Sequence, residues 1–154
     1  MRERMLVMVM VMASLAGCIG ADYGSPTPDT HVRLDGESTW ARPFGFDLVG
    51  KAVTYWTDGG PSSPAVELPT DRIEDMISAF EDVNFLYQYA DLSSCDYKSA
   101  DAPEFVIQME LTGGSNEVYY PMDCQSEKLN TLVARLRDRS GLDAWQEAVS
   151  ETSN

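Results

Sequence analysis

The chain has 154 residues, 44% of them hydrophobic, and carries 11 basic against 25 acidic side chains, a formal net charge of −14 with a single histidine. That length holds one modest domain with a real core. The charge repels phosphate backbones and anionic headgroups, so no nucleic-acid partner is expected.

Arg2 and Arg4 precede the apolar run Leu6–Leu15, which leads into Ala16, Gly17 and Cys18. A charged start, a short apolar stretch and small residues together make an export signal. At about 1.5 Å per residue the run reaches about half of a ~30 Å hydrocarbon core, so a spanning helix is not expected. The segment Leu15-Ala16-Gly17-Cys18 resembles the lipobox of bacterial lipoproteins, whose cysteine is thioether-linked to diacylglycerol before cleavage. The resemblance implies that residues 1–17 are removed and that Cys18 becomes the lipidated first residue of an envelope protein held to the membrane. Ile19 rather than aspartate follows Cys18, which by the same resemblance favours the outer membrane in a host with two membranes. Losing Met1–Gly17 removes Arg2, Glu3 and Arg4 and leaves the remainder one unit more acidic. The acidity serves solubility; a face that binds a cation or a basic partner is the sharper alternative.

Residues 18–38, rich in Gly, Ser, Pro, Thr and Asp, read as the lipidated cysteine and a flexible tether, with Tyr23 and His31 given no specific role. A single domain is expected over 39–150, followed by a disordered tail at 151–154. Phe44, Phe46 and Leu48 alternate with Gly45, Asp47 and Val49; Gly50-Lys51 then suits a two-residue type II′ turn into Ala52–Trp56. Pairing across that turn sets Leu48 opposite Val53 and Phe46 opposite Tyr55, leaving Trp56 and Val49 on the other face.

Thr57–Pro69 reads as a loop, and Thr70 as the N-cap of a helix whose stripe is Ile73, Met76, Ile77, Phe80 and Val83. The acids Asp71, Glu74 and Asp75 suit the helix dipole rather than a metal. Phe85–Pro103 reads as an ordered crossover clamped by Cys95. Phe105, Ile107, Met109 and Leu111 mark a half-buried strand, and Glu117–Tyr120 its return. Sharing a face between Leu111 and Val118, and between Met109 and Tyr120, calls for a loop of Gly114-Ser115 or of residues 113–116. Ser126 caps a last main helix with the stripe Leu129, Leu132, Val133 and Leu136, ended by Gly141. Arg135, Arg137 and Arg139 lie at its solvated C-terminal end, and Leu142, Trp145 and Val149 form a short closing helix. The expected fold class is α+β: two hairpins in one four-stranded antiparallel sheet, two helices on one face (β-β-α-β-β-α), and a C-terminal helical turn.

With Cys18 assigned to lipid, Cys95 and Cys124 remain. In an exported chain such a pair reads as a structural disulfide, closing a loop of about 30 residues worth roughly 3.5 kcal/mol on the chain-entropy model. A redox pair or two metal-binding thiolates are the alternatives, but there is no CxxC spacing and His31 is remote.

From Phe44 to Gln146 the chain resembles a family of small bacterial exported domains of unknown function. The resemblance rests on the first hairpin, the Ile73–Val83 helix, Ala100-Asp101-Ala102-Pro103 before the next strand, the Gly-Gly turn and a last helix near Trp145. It implies this fold and export, and no activity. Family members often carry Cys-x-Gly-x-Cys-Pro at the first strand. Trp40-Ala41-Arg42-Pro43-Phe44-Gly45-Phe46 has no cysteine, so no role of those thiols carries over.

The sequence has no G-x-S-x-G elbow, no phosphate-cradling glycine loop and no H-E-x-x-H. One histidine, outside the expected domain, leaves no Ser-His-Asp or Cys-His site within it. No catalytic residue, metal or cofactor is assigned. The leading expectation is a non-catalytic envelope lipoprotein whose domain binds or scaffolds another envelope protein. Trp56, Val49 and Val106, on the face away from the helices, are the candidate binding face. The rivals are a carbohydrate or small-ligand module stacking on Trp40, Trp56, Tyr119 or Tyr120, and a hydrolase using carboxylates such as Glu110 and Glu117.

Overall fold

The computed structural model describes residues 22–37, 43–57, 62–86, 104–121 and 126–152. Cys18, Trp40, Cys95 and Cys124, and with them the lipobox and disulfide expectations, lie outside the described residues. Strands β1 (His31–Glu37), β2 (Phe44–Val49), β3 (Ala52–Thr57) and β4 (Val66–Glu67) precede helix α1 (Thr70–Asp82). Strands β5 (Glu104–Leu111) and β6 (Gly114–Pro121) follow, then helices α2 (Glu127–Ser140) and α3 (Leu142–Thr152).

The four-stranded sheet with two helices is corrected by this arrangement. The sheet has six strands, all antiparallel, in the order β4-β3-β2-β1-β5-β6, and the described residues form three helices. The two hairpins do not pair with each other: β1, from the stretch read as tether, fills the seam between them, pairing with β2 on one side and β5 on the other. Its sequence HVRLDGE offers only Val32 and Leu34 as apolar residues, yet both are completely buried. A central strand covered on one face needs no more than that, because its other face can stay polar. Gly36 completes the inward row. A β-carbon there would come within 2.7 Å of Phe44, and Phe44 meets Phe105 edge-to-face over the gap at 6.1 Å.

The first hairpin has the expected register, Phe46 opposite Tyr55 and Leu48 opposite Val53, with Gly50 at φ 60°. That angle at the first loop position fits type II′. The second hairpin keeps the expected faces but in a different register: Phe105 pairs with Tyr120, Ile107 with Val118, and Leu111 with Gly114, around a Thr112-Gly113 turn. Alternation fixes which residues share a face but not how far the ladder slides in steps of two. The earlier turn lets every residue of β5 find a partner before Pro121 ends β6.

Pro69, not Thr70, stands at the start of α1, with no side-chain cap. Its end is better made. Asn84 at φ 51° donates its N–H to the Glu81 carbonyl, Phe85 donates to the Phe80 carbonyl, and the two phenyl rings meet edge-to-face at 4.8 Å. This is a Schellman motif with its hydrophobic contact, built on asparagine instead of glycine. Helix α2 starts as expected, the Ser126 hydroxyl accepting from the Leu129 N–H, and ends at Gly141 with φ 84°.

Ile73, Met76, Ile77 and Phe80 of α1 and Leu129, Leu132, Val133 and Leu136 of α2 join the inward sheet residues in one core, with Leu142 of α3. Tyr55 pins the α2–α3 corner: its hydroxyl donates to the Ser140 carbonyl at 2.5 Å and its ring stacks on Trp145 at 5.4 Å. The arginines of α2 are partly exposed, as expected of a solvated end, but each is paired. Arg135 pairs with Asp82 and Arg139 with Asp75, joining α2 to α1, while Arg137 pairs with Asp143 and lies over Phe44.

The N-terminal segment is fastened to this body. The Tyr23 N–H donates to Glu81 at 2.7 Å, and the Tyr23 hydroxyl accepts from the Leu86 N–H at 3.0 Å. Thr30, fully buried, accepts at its carbonyl from the Gly50 N–H at 2.7 Å, so the segment is hydrogen-bonded to the β2–β3 turn.

Candidate functional site

All three helices contribute to the core on one face of the sheet; the outward rows of the strands form the other face. The strand register sets out that outer face in rungs. One rung holds Ala52, Val49, His31, Glu110 and Ser115; the next holds Thr54, Asp47, Arg33, Gln108 and Glu117; the third holds Trp56, Gly45, Asp35, Val106 and Tyr119. The sequence-nominated residues Trp56, Val49 and Val106 all fall on it. They do not form one cluster. Val49, 54% exposed, is at the turn end, while Trp56 and Val106 share the third rung with three strand spacings of about 4.8 Å between them.

Trp56 is the best-organised of them. Gly45, its direct partner on β2, has no side chain, and a β-carbon there would come within 2.5 Å of the indole. The ring therefore lies flat on the backbone, half-buried rather than projecting. The Arg33 guanidinium sits over it, its central carbon 5.4 Å from the ring centroid. Arg33 is fixed in turn by Asp35, whose carboxylate accepts from Nε at 2.6 Å. That hydrogen bond raises the Arg33 pKa above its ordinary value; burial opposes the rise, and the charges of Asp35, Asp47 and Glu117 add to it. The lasting positive charge is thus held within a ring of carboxylates.

A second cluster lies one end of the sheet away. His31 Nε2 meets Asp47 at 2.5 Å, and Nδ1 lies 4.0 Å from Glu110, so the chain's single imidazole bridges β2 and β5 across β1. The tether reading hid both His31 and Arg33 as site residues. Their signal was available in the alternation of His31, Arg33 and Asp35 with Val32, Leu34 and Gly36. Among the described residues no three His, Cys, Asp or Glu side chains converge as a metal site.

The rival sites fare differently. Tyr120 is 1% exposed and its hydroxyl donates to Asn130 within the body, so it is no stacking platform. Tyr119 is exposed on the outer face, and Trp40 lies outside the described residues. Glu110 and Glu117 stand exposed on the same face, whereas general-acid work needs a carboxyl desolvated in a pocket. No helix among the described residues is long and apolar enough to cross a membrane.

No family model, no curated protein and no solved structure matches the chain. The resemblance to exported domains of unknown function therefore has only its quoted motifs behind it.

Proposed function

We propose that this chain is a bacterial envelope lipoprotein, anchored through lipid on Cys18, whose domain binds another envelope protein through the outer face of its sheet. The observation that carries the reading is the Trp56–Gly45–Arg33–Asp35 arrangement. It is an indole laid flat on a strand, a guanidinium over it and a carboxylate holding that guanidinium. Aromatic rings and fixed charges of this kind are typical of recognition surfaces.

Charge selects the partner. Asp35, Asp47, Glu104, Glu110 and Glu117 occupy outward positions, against Arg33 and His31. Such a face complements a polypeptide presenting Arg or Lys, whose cations would meet these carboxylates while Arg33 keeps the Trp56 ring covered. A sugar needs a bare ring face to stack on, and a ring already under a guanidinium favours the protein partner instead. Cys95 and Cys124 are assigned to a disulfide that stiffens the domain, and no catalytic group or cofactor is invoked.

Two measurements test the reading. The intact mass of native material is expected to show a diacylglyceryl-modified Cys18 as first residue; an unprocessed amino terminus contradicts the anchor. Binding of Arg-rich peptides to the domain is expected to weaken several-fold on Trp56→Ala and on raising salt. Indifference to both contradicts the face.

A further inference from the structure

The fastening of Tyr23 fixes how the domain stands on its membrane. We propose that the end carrying the β2–β3 and β5–β6 turns rests against the bilayer surface, with the strands running away from it. The inference rests on the lipid at Cys18 and adds an orientation to it.

The argument is one of chain length. Tyr23 is bound through its backbone to Glu81 and through its hydroxyl to Leu86, so the domain begins there. Five residue steps separate Cys18 from Tyr23, and a fully extended chain covers at most about 3.6 Å per step, about 18 Å in all. A domain of this size measures roughly 35 Å across. A leash about half the diameter cannot let the body turn over; it holds the Tyr23 end down.

The same end gathers the segment from Tyr23 to Thr30, the Gly50-Lys51 turn and the Thr112-Gly113 turn. One surface depression is lined by Pro26, Pro28, Val49 and Lys51, and a neighbouring one by Tyr23, Leu111 and Gly113. Its tips are mostly uncharged, with Val49 exposed, Lys51 the one basic side chain among those lining residues and Asp29 the one acid between Tyr23 and Thr30. That is a surface able to lie against headgroups in a chain that is otherwise strongly acidic. From Ala52 to Trp56 the strand rises about 13 Å at about 3.3 Å per residue, so the indole stands just above the interface. The outer face of the sheet is then upright, and what it meets is close to the membrane.

The test uses the full chain, exported and processed in a bacterium and reconstituted into phosphatidylcholine vesicles holding a rhodamine-labelled lipid. A fluorescent residue is placed at Gly113, where a side chain meets no atom within 4 Å, or at Thr57 at the far end of β3. Energy transfer to the bilayer dye is expected to be at least twofold greater from position 113. A twenty-residue Gly/Ser insertion between Ala21 and Asp22 is expected to abolish that difference. Equal transfer from both positions or greater transfer from 57 overturns the orientation while leaving the anchor intact; a difference that survives the insertion overturns the short leash as its cause. Failure of the chain to sediment with vesicles, giving no transfer from either position, overturns the anchor and the orientation with it.

Discussion

The indole of Trp56 lies across Gly45 so closely that a β-carbon at residue 45 would meet Cζ2 of the ring at 2.5 Å and press on the Leu34 carbonyl. A large aromatic ring thus lies flat on a face that the helices leave uncovered. Removing it is expected to spare the fold. Trp56→Ala should unfold in a single cooperative transition with a loss of about 1–1.5 kcal/mol, the value of a half-buried side chain. A loss above about 3 kcal/mol in urea titration would make Trp56 a core residue and remove the proposed binding face.

Gly45→Ala is expected to cost about 1–3 kcal/mol, since the added methyl must displace ring or strand. Part of that cost should vanish in a Trp56→Ala background, the contact with the Leu34 carbonyl remaining. A double-mutant cycle measures the coupling, and strict additivity would show that the two residues do not touch.

Burial raises the Tyr55 and Tyr120 hydroxyls above their ordinary pKa of 10.0, with Arg72 opposing the shift at Tyr55 and a Ser126 backbone hydrogen bond opposing it at Tyr120. Below about pH 10 both are neutral folded or unfolded. Above it the unfolded chain loses these protons first, so the native state binds more of them and stability falls as pH rises. Melting temperature is therefore expected to drop between pH 9.5 and 11, roughly. Tyr55→Phe should make that drop shallower, while costing about 1–2 kcal/mol at pH 7 through the unpaired Ser140 carbonyl. An unchanged alkaline slope would contradict the assignment.

Asn84 holds a left-handed conformation with its buried Oδ1 lacking a partner among the described residues. Asn84→Gly is expected to stabilise the domain by about 0.5–1 kcal/mol, by relieving the backbone and deleting an unsatisfied acceptor. Thermal denaturation reads the sign; a loss of stability would mean that the side chain is satisfied in solution.

The first hairpin was legible in full because Phe46, Leu48, Val53 and Tyr55 alternate cleanly around a glycine-first turn. Helix α2 was legible from both ends, Ser126 and Gly141 each doing what its chemistry favours. Strand β1 was hidden by composition. Two apolar residues among seven look like linker, and only the long-range pairing with β2 and β5 makes them core. The β5–β6 register escaped because alternation is blind to shifts of two. Trp56, Val49 and Val106 were found as outward residues, but Arg33 and Asp35, which organise the ring, came from the stretch taken for tether.

Deleting residues 22–37 separates those readings. If the stretch were only a leash the remaining domain would keep its cooperative transition. With β1 at the centre of the sheet, the deletion is expected to abolish it, and Leu34→Ala alone should cost about 2–5 kcal/mol.

The central claim, recognition of a cationic envelope protein by the outer face of the sheet, is tested most directly by a photoreactive residue at Val106 in living cells. One adduct is expected, mapping by mass spectrometry to an Arg- or Lys-bearing segment of a single envelope protein and lost on Trp56→Ala. An adduct that persists without the indole, or none above that given by a reporter on the solvent side of α2, would contradict the claim.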